Sequence, residues 1–157
     1  MKKICLLFFA VVLCLSSYAQ YVDLGLPSGT KWKSSNETGG KNGFYTYDEA
    51  VKAFGNKLPT KEQLEELHYY CKWVWLSDKR AYKVTGLNGN FIVLPAAGTR
   101  GCAVSGSVTN VGGFGYFWSS TPDGSASAWS LGFYSDKVYI TSAVNRCAGH
   151  SVRLVQD

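Results

Sequence analysis

The sequence predicts an α+β domain, two short helices followed by mostly antiparallel strands. Two capping boxes open the helical stretches near residues 46 and 60. After Cys71 the apolar period drops from the helical 3.6 to 2. The chain is rich in Gly and aromatics and poor in charge, with 17 Gly, 5 Trp and 10 Tyr. That composition suits a turn-rich β domain.

The first segment reads as an export leader. Lys2 and Lys3 precede the uncharged run Ile4 to Leu15, and Ser17 and Ala19 stand at −3 and −1 of an expected cut before Gln20. The run is twelve residues, short of the about 20 needed to span a bilayer. Cys14 follows Val11, Val12 and Leu13, which is not a lipidation context. No later run is apolar enough to cross a membrane. The expected domain is 20–157, and 157 less 19 leaves 138 residues, enough for one core. Losing Lys2 and Lys3 lowers the net charge from +5 to +3, with no basic run, so nucleic acid is not an expected partner. Of the five cysteines, Cys71, Cys102 and Cys147 remain. Export permits a disulfide, and any one of three single pairings, or buried or free thiols, satisfies the sequence.

A short strand at Tyr21 leads to a turn at Leu26-Pro27-Ser28-Gly29 and a strand around Trp32. Ser34 to Gly43 is a polar loop. Thr46-Tyr47-Asp48-Glu49 starts a helix carrying Ala50, Val51 and Phe54 and ended by Gly55. Thr60-Lys61-Glu62-Gln63 starts a second, with the stripe Leu64, Leu67 and Cys71. Trp73 to Leu76 is a short apolar run. Ala81 to Thr85 and Phe91 to Leu94 flank an Asn-Gly hairpin turn. Gly101 to Gly115 reads as a long surface loop. Phe114 to Ser119, Ala128 to Tyr134, Lys137 to Thr141 and Ser151 to Val155 complete the strands.

Alternation in these last strands separates two faces. Trp129, Leu131, Phe133, Val138, Ile140, Val152 and Leu154 are expected inward. The outward set has Tyr, Ser, Thr and Asn, which suits a recognition surface with rigid aromatic anchors; an ordinary solvated sheet face alternates in the same way. The candidate ligand residues are Ser127, Ser130, Tyr134, Tyr139, Thr141, Ser142, Asn145, Arg146 and His150. Gly132, Ala143, Ser151 and Arg153 also fall outward. Arg146 is placed beside Tyr139, where a guanidinium stacks or binds an acid.

A series of segments carries a resemblance: Tyr21 to Trp32, Leu58-Pro59-Thr60, Cys71 to Trp75, Val84 to Asn90, Leu94 to Gly98, Tyr116 to Thr121, and Gly149 to Val155. In this order they resemble the Fibrobacter succinogenes major paralogous (FISUMP) domain family of Bacteroidota surface proteins, over nearly all of 20–157. The resemblance implies a C-type lectin-like fold, with outward positions between Asp123 and His150 as the ligand face. The C-terminal part is also similar to the variable region of retroelement-diversified proteins. The Glu-Pro-Asn, Gln-Pro-Asp and Trp-Asn-Asp motifs of calcium-dependent lectins do not occur, so no calcium or other cofactor is expected. The resemblance also suggests structural hydrogen bonds for Arg153.

Chemistry is poorly supported. His150 and Ser151 are adjacent and on a strand would point apart, and two histidines without Cys-x-x-Cys do not suggest zinc. His68 reads as a packed or surface side chain. Formylglycine-generating enzymes share the lectin-like fold and need a close cysteine pair, which Cys102 and Cys147 supply only if folding joins them. The expected function is therefore exported recognition of a protein or glycan, not catalysis. The alternative is a structural or adhesive component of a surface assembly.

Overall fold

The computed structural model describes residues 20–103 and 106–157; the expected leader, 1–19, lies outside them. Strands β1 (Tyr21–Asp23) and β2 (Lys31–Lys33) come first, joined by the Leu26 turn, which closes with a bond from Gly29 N to Leu26 O of 2.9 Å. Helix α1 (Tyr47–Phe54) and helix α2 (Lys61–Tyr70) follow. Thr46 and Thr60 complete reciprocal capping boxes with Glu49 and Gln63, so both starts are where the sequence places them. Gly55 ends α1 with φ +52°, a conformation suited to glycine. Ala50 is buried, whereas Val51 is exposed on α1's outer side. Leu64 and Leu67 are buried, and Cys71 caps α2 from outside the helix.

Strands β3 (Lys72–Leu76), β4 (Ala81–Thr85) and β5 (Phe91–Pro95) form an antiparallel meander. A small pair follows: β6 (Thr99–Arg100), just before the expected loop, and β7 (Val108–Thr109) within it. The longest strands are β8 (Phe114–Asp123), β9 (Ser127–Tyr134) and β10 (Lys137–Asn145), paired in the order β10-β9-β8. A final strand, β11 (Val155–Gln156), joins β2 and so ties the two ends of the described chain together. Ser151 to Val155 is thus a strand only at its end; Ser151 makes an isolated parallel bridge to Phe117. All the named strand pairs are antiparallel. The molecule is a small single domain with two short helices and several sheets.

Both faces of the β8–β9–β10 sheet are used. On one, Phe117, Leu131 and Phe133 meet Leu64 and Leu67 of α2 and Tyr82, Val84, Ile92 and Leu94 of the meander. On the other, Trp118 and Ala128 meet Tyr47 and Ala50 of α1, with Leu58, Val152 and Leu154. This second core covers only part of its face. Gly115 lies under the Phe133 ring, where any side chain would collide with it. Among the described residues, no helix is long and apolar enough to cross a membrane.

Candidate functional site

The uncovered part of the second face is aromatic. Phe114, Tyr116 and Trp118 alternate along β8 and project the same way. Phe114 and Tyr116 are parallel, 6.1 Å apart between centroids. Phe114 pairs across the strands with Tyr134 at 5.5 Å, and Tyr134 reaches Tyr139 at 6.2 Å. Register places Gly132 between Tyr116 and Tyr139, one on each side. The glycine is what makes room: a methyl group there would lie 2.6 Å from Cζ of Tyr139. The Tyr139 ring lies over that gap, and Lys137 Nζ sits 5.9 Å from its centroid. Burial first, then hydrogen bonding to Tyr116, holds the Tyr139 phenol well above its ordinary range. Phe114, Tyr116, Tyr134 and Tyr139 are all half-buried.

His150 is not part of the open surface, contrary to expectation. It is 3% exposed and inserted between Trp118, 4.3 Å away, and Tyr116, 4.9 Å away, nearly parallel to both. Phe114, Tyr116, His150 and Trp118 therefore form a continuous stack. A residue pairing its backbone with Tyr45 is drawn into the sheet's second face, and strand alternation could not show that crossing. Its Nδ1 has no hydrogen-bond partner, and burial pushes the imidazole down to about 3. It is neutral at neutral pH.

Ser130 is also corrected. It is fully buried beneath the second core, opposite Trp118, and its Oγ has no partner. The outward reading failed because Ser130 shares its face with Trp118 and Ala128, both of which belong to the second core. Gly132 is buried for the reason given, and Ser151 and Arg153 are buried as well. Arg153 donates to Asn36 Oδ1 at 2.8 Å, Lys33 O at 2.9 Å and Val93 O at 2.7 Å. Its expected structural bonds are present, but inside the protein. Burial lowers its pKa to about 10, with Glu37 opposing the shift.

Arg146 lies away from Tyr139. It stacks on Tyr47 at 4.6 Å, pairs with Asp48 and donates to Ser125 O, tying the end of β10 to α1. Trp129 is only half-buried; Lys61 Nζ covers its ring at 4.3 Å. Ser127, Thr141 and Ser142 are half-exposed and Asn145 is exposed. Thr141 Oγ1 accepts from Ala143 N at a bulge, and Asn145 Oδ1 accepts from Cys147 N at the following turn. Both side chains thus shape their own backbone. The predicted residues that gather on the aromatic face are Tyr134 and Tyr139. Phe114 and Tyr116 complete it. They were missed although β8 shows the same alternation.

Cys102 and Cys147 form a disulfide, with Cα atoms 4.8 Å apart, pinning the loop after β6 to the turn after β10. Beside it, Arg100 and Gly149 exchange two backbone bonds of 2.8 Å, and the buried Arg100 side chain reaches Glu49 at 3.9 Å. Cys71 is free, and burial, aided by Glu66, pushes its thiol up to about 11. His68 packs near Trp73 at 6.3 Å, and burial lowers its pKa. Cavities of about 460 Å³ open elsewhere, one of them beside Tyr45, Glu49 and Lys52. Among the described residues, no three His, Cys, Asp or Glu side chains gather as a metal site. No family model, curated protein or solved structure matches this chain.

Proposed function

We propose that the chain is an exported ligand-binding domain of the C-type lectin-like, FISUMP type, residues 1–19 serving as a cleavable leader. It recognises a protein or glycan on the aromatic face of β8–β10, without calcium and without catalysis, in the periplasm, in the medium or at the cell surface. A single arrangement carries this: the open half of a sheet face bears Phe114, Tyr116, Tyr134 and Tyr139 side by side on a rigid, two-sided core. Aromatic rings with few rotatable bonds bind at low entropic cost, and their faces suit sugar C–H surfaces or apolar side chains equally.

The test is a glycan array and a panel of surface proteins probed with the full chain. Retention that survives chelation and is lost in Tyr134→Ala and Tyr139→Ala, with unchanged circular dichroism, is expected. Retention unaffected in both variants refutes the reading. If the variants lose self-assembly or partner assembly instead, the face is a packing surface of a larger structure. The Cys102–Cys147 pairing also meets the geometric condition for a formylglycine-generating oxidase. Oxidation of a cysteine-containing peptide that disappears in Cys102→Ser would replace the binding reading with that one.

A further inference from the structure

We infer that the outer face of the β3–β4–β5 meander is a second docking surface, fitted to an acidic polypeptide. Charge is the first argument. Residues 20–157 carry 14 Lys and Arg against 11 Asp and Glu. Lys72, Lys79, Arg80 and Lys83 stand against Asp78 alone in the β3–β4 hairpin, a net +3, and the remaining residues hold ten of each sign. The whole net charge of the domain therefore sits on one hairpin. Screening acts over about 8 Å at physiological salt, and strands β3, β4 and β5 contain no carboxylate, so a partner meeting Lys72 and Lys83 on this sheet meets cations with no acid among them.

Exposed apolar surface on the same element is the second argument. The meander's inner side chains, Trp73, Trp75, Tyr82 and Val84, pack on the main core. By alternation and register, Lys72, Val74, Lys83 and Phe91 share the opposite face. Val74 is 42% exposed and Phe91 49%. Tyr70, just before β3, is 51% exposed. Lys83 Nζ lies 4.2 Å from the centre of the Phe91 ring. An apolar centre rimmed by charge is the anatomy of a protein interface. A bilayer surface fits less well, because apolar side chains must enter the acyl boundary ahead of the cations. Here the Lys83 ammonium lies against the Phe91 ring, so charge and apolar surface stand at the same depth. A polypeptide offers carboxylates to Lys72 and Lys83 and apolar side chains to Val74 and Phe91 at the same depth.

The probe is a labelled, end-blocked peptide of alternating Glu and Val, followed by fluorescence anisotropy with the full chain. Binding is expected, weakened about tenfold by Lys72→Glu with Lys83→Glu. Lys31→Glu with Lys57→Glu makes the same charge change on exposed lysines elsewhere, and less than a twofold change is expected. Val74→Ser with Phe91→Ser, and a Glu–Ser peptide, should each bind weakly. Thermal melts confirm that every variant folds. No binding, equal loss in both lysine pairs, undiminished binding of the Glu–Ser peptide, or preference for phosphatidylserine vesicles overturns the inference. Tyr134→Ala should leave peptide binding unchanged, which separates this surface from the aromatic one.

Discussion

Acid should unseat His150, and the size of the effect follows from its burial. In the unfolded chain a histidine takes up its proton near pH 6.5. In the folded protein, between Trp118 and Tyr116 and with Nδ1 unpaired, uptake waits until about 3. Between these values the unfolded state binds the extra proton, so stability must fall as pH falls. The contribution is fully present above pH 6.5 and is lost progressively as pH drops toward 3. Each unit is worth about 1.4 kcal/mol, so the drop from about pH 7 to about pH 4.5 should cost about 2.7 kcal/mol. Carboxylates titrate over part of the same range, so the measurement is a difference between two proteins. Urea unfolding of the natural chain and of His150→Phe at the two pH values should show the natural chain losing about 2.7 kcal/mol more. Phenylalanine keeps the ring stack without the proton site. Equal losses in the two proteins, or a His150 imidazole NMR titration with its midpoint near 6.5, would refute the reasoning.

Arg153→Met should destabilise by about 2–4 kcal/mol in chemical denaturation, because it leaves the partly buried carbonyls of Lys33 and Val93 without their donor, at about 1–3 kcal/mol each at most; a loss under about 1 kcal/mol would contradict the network. Gly132→Ala should push Tyr139 off its seat and cost about 1–3 kcal/mol by thermal or urea unfolding. A neutral result would mean the ring does not rest on that glycine. Cys102→Ser opens a crosslink between residues 45 apart and should cost about 4 kcal/mol relative to the oxidised chain. If the oxidised and Cys102→Ser proteins unfold together, the crosslink does not restrict the unfolded chain as the loop length requires.

Local signals were legible in the chain itself. Thr46 with Glu49 and Thr60 with Gln63 place both helix starts, because a capping box is made within four residues. The Asn88-Gly89 turn and the alternation of Leu131 and Phe133 likewise need only near neighbours. Alternation says which side chains share a face, but not what lies on that face. Only the tertiary structure decided that a core forms over the Trp118 side of the sheet and buries Ser130, that His150 crosses from the C-terminal segment into a gap between Tyr116 and Trp118, and that Cys102 meets Cys147. Each of those outcomes depends on a contact between residues far apart in sequence. The open face is therefore narrower than the strand pattern alone suggests. It is centred on Tyr134 and Tyr139 and completed by Phe114 and Tyr116 from the neighbouring strand.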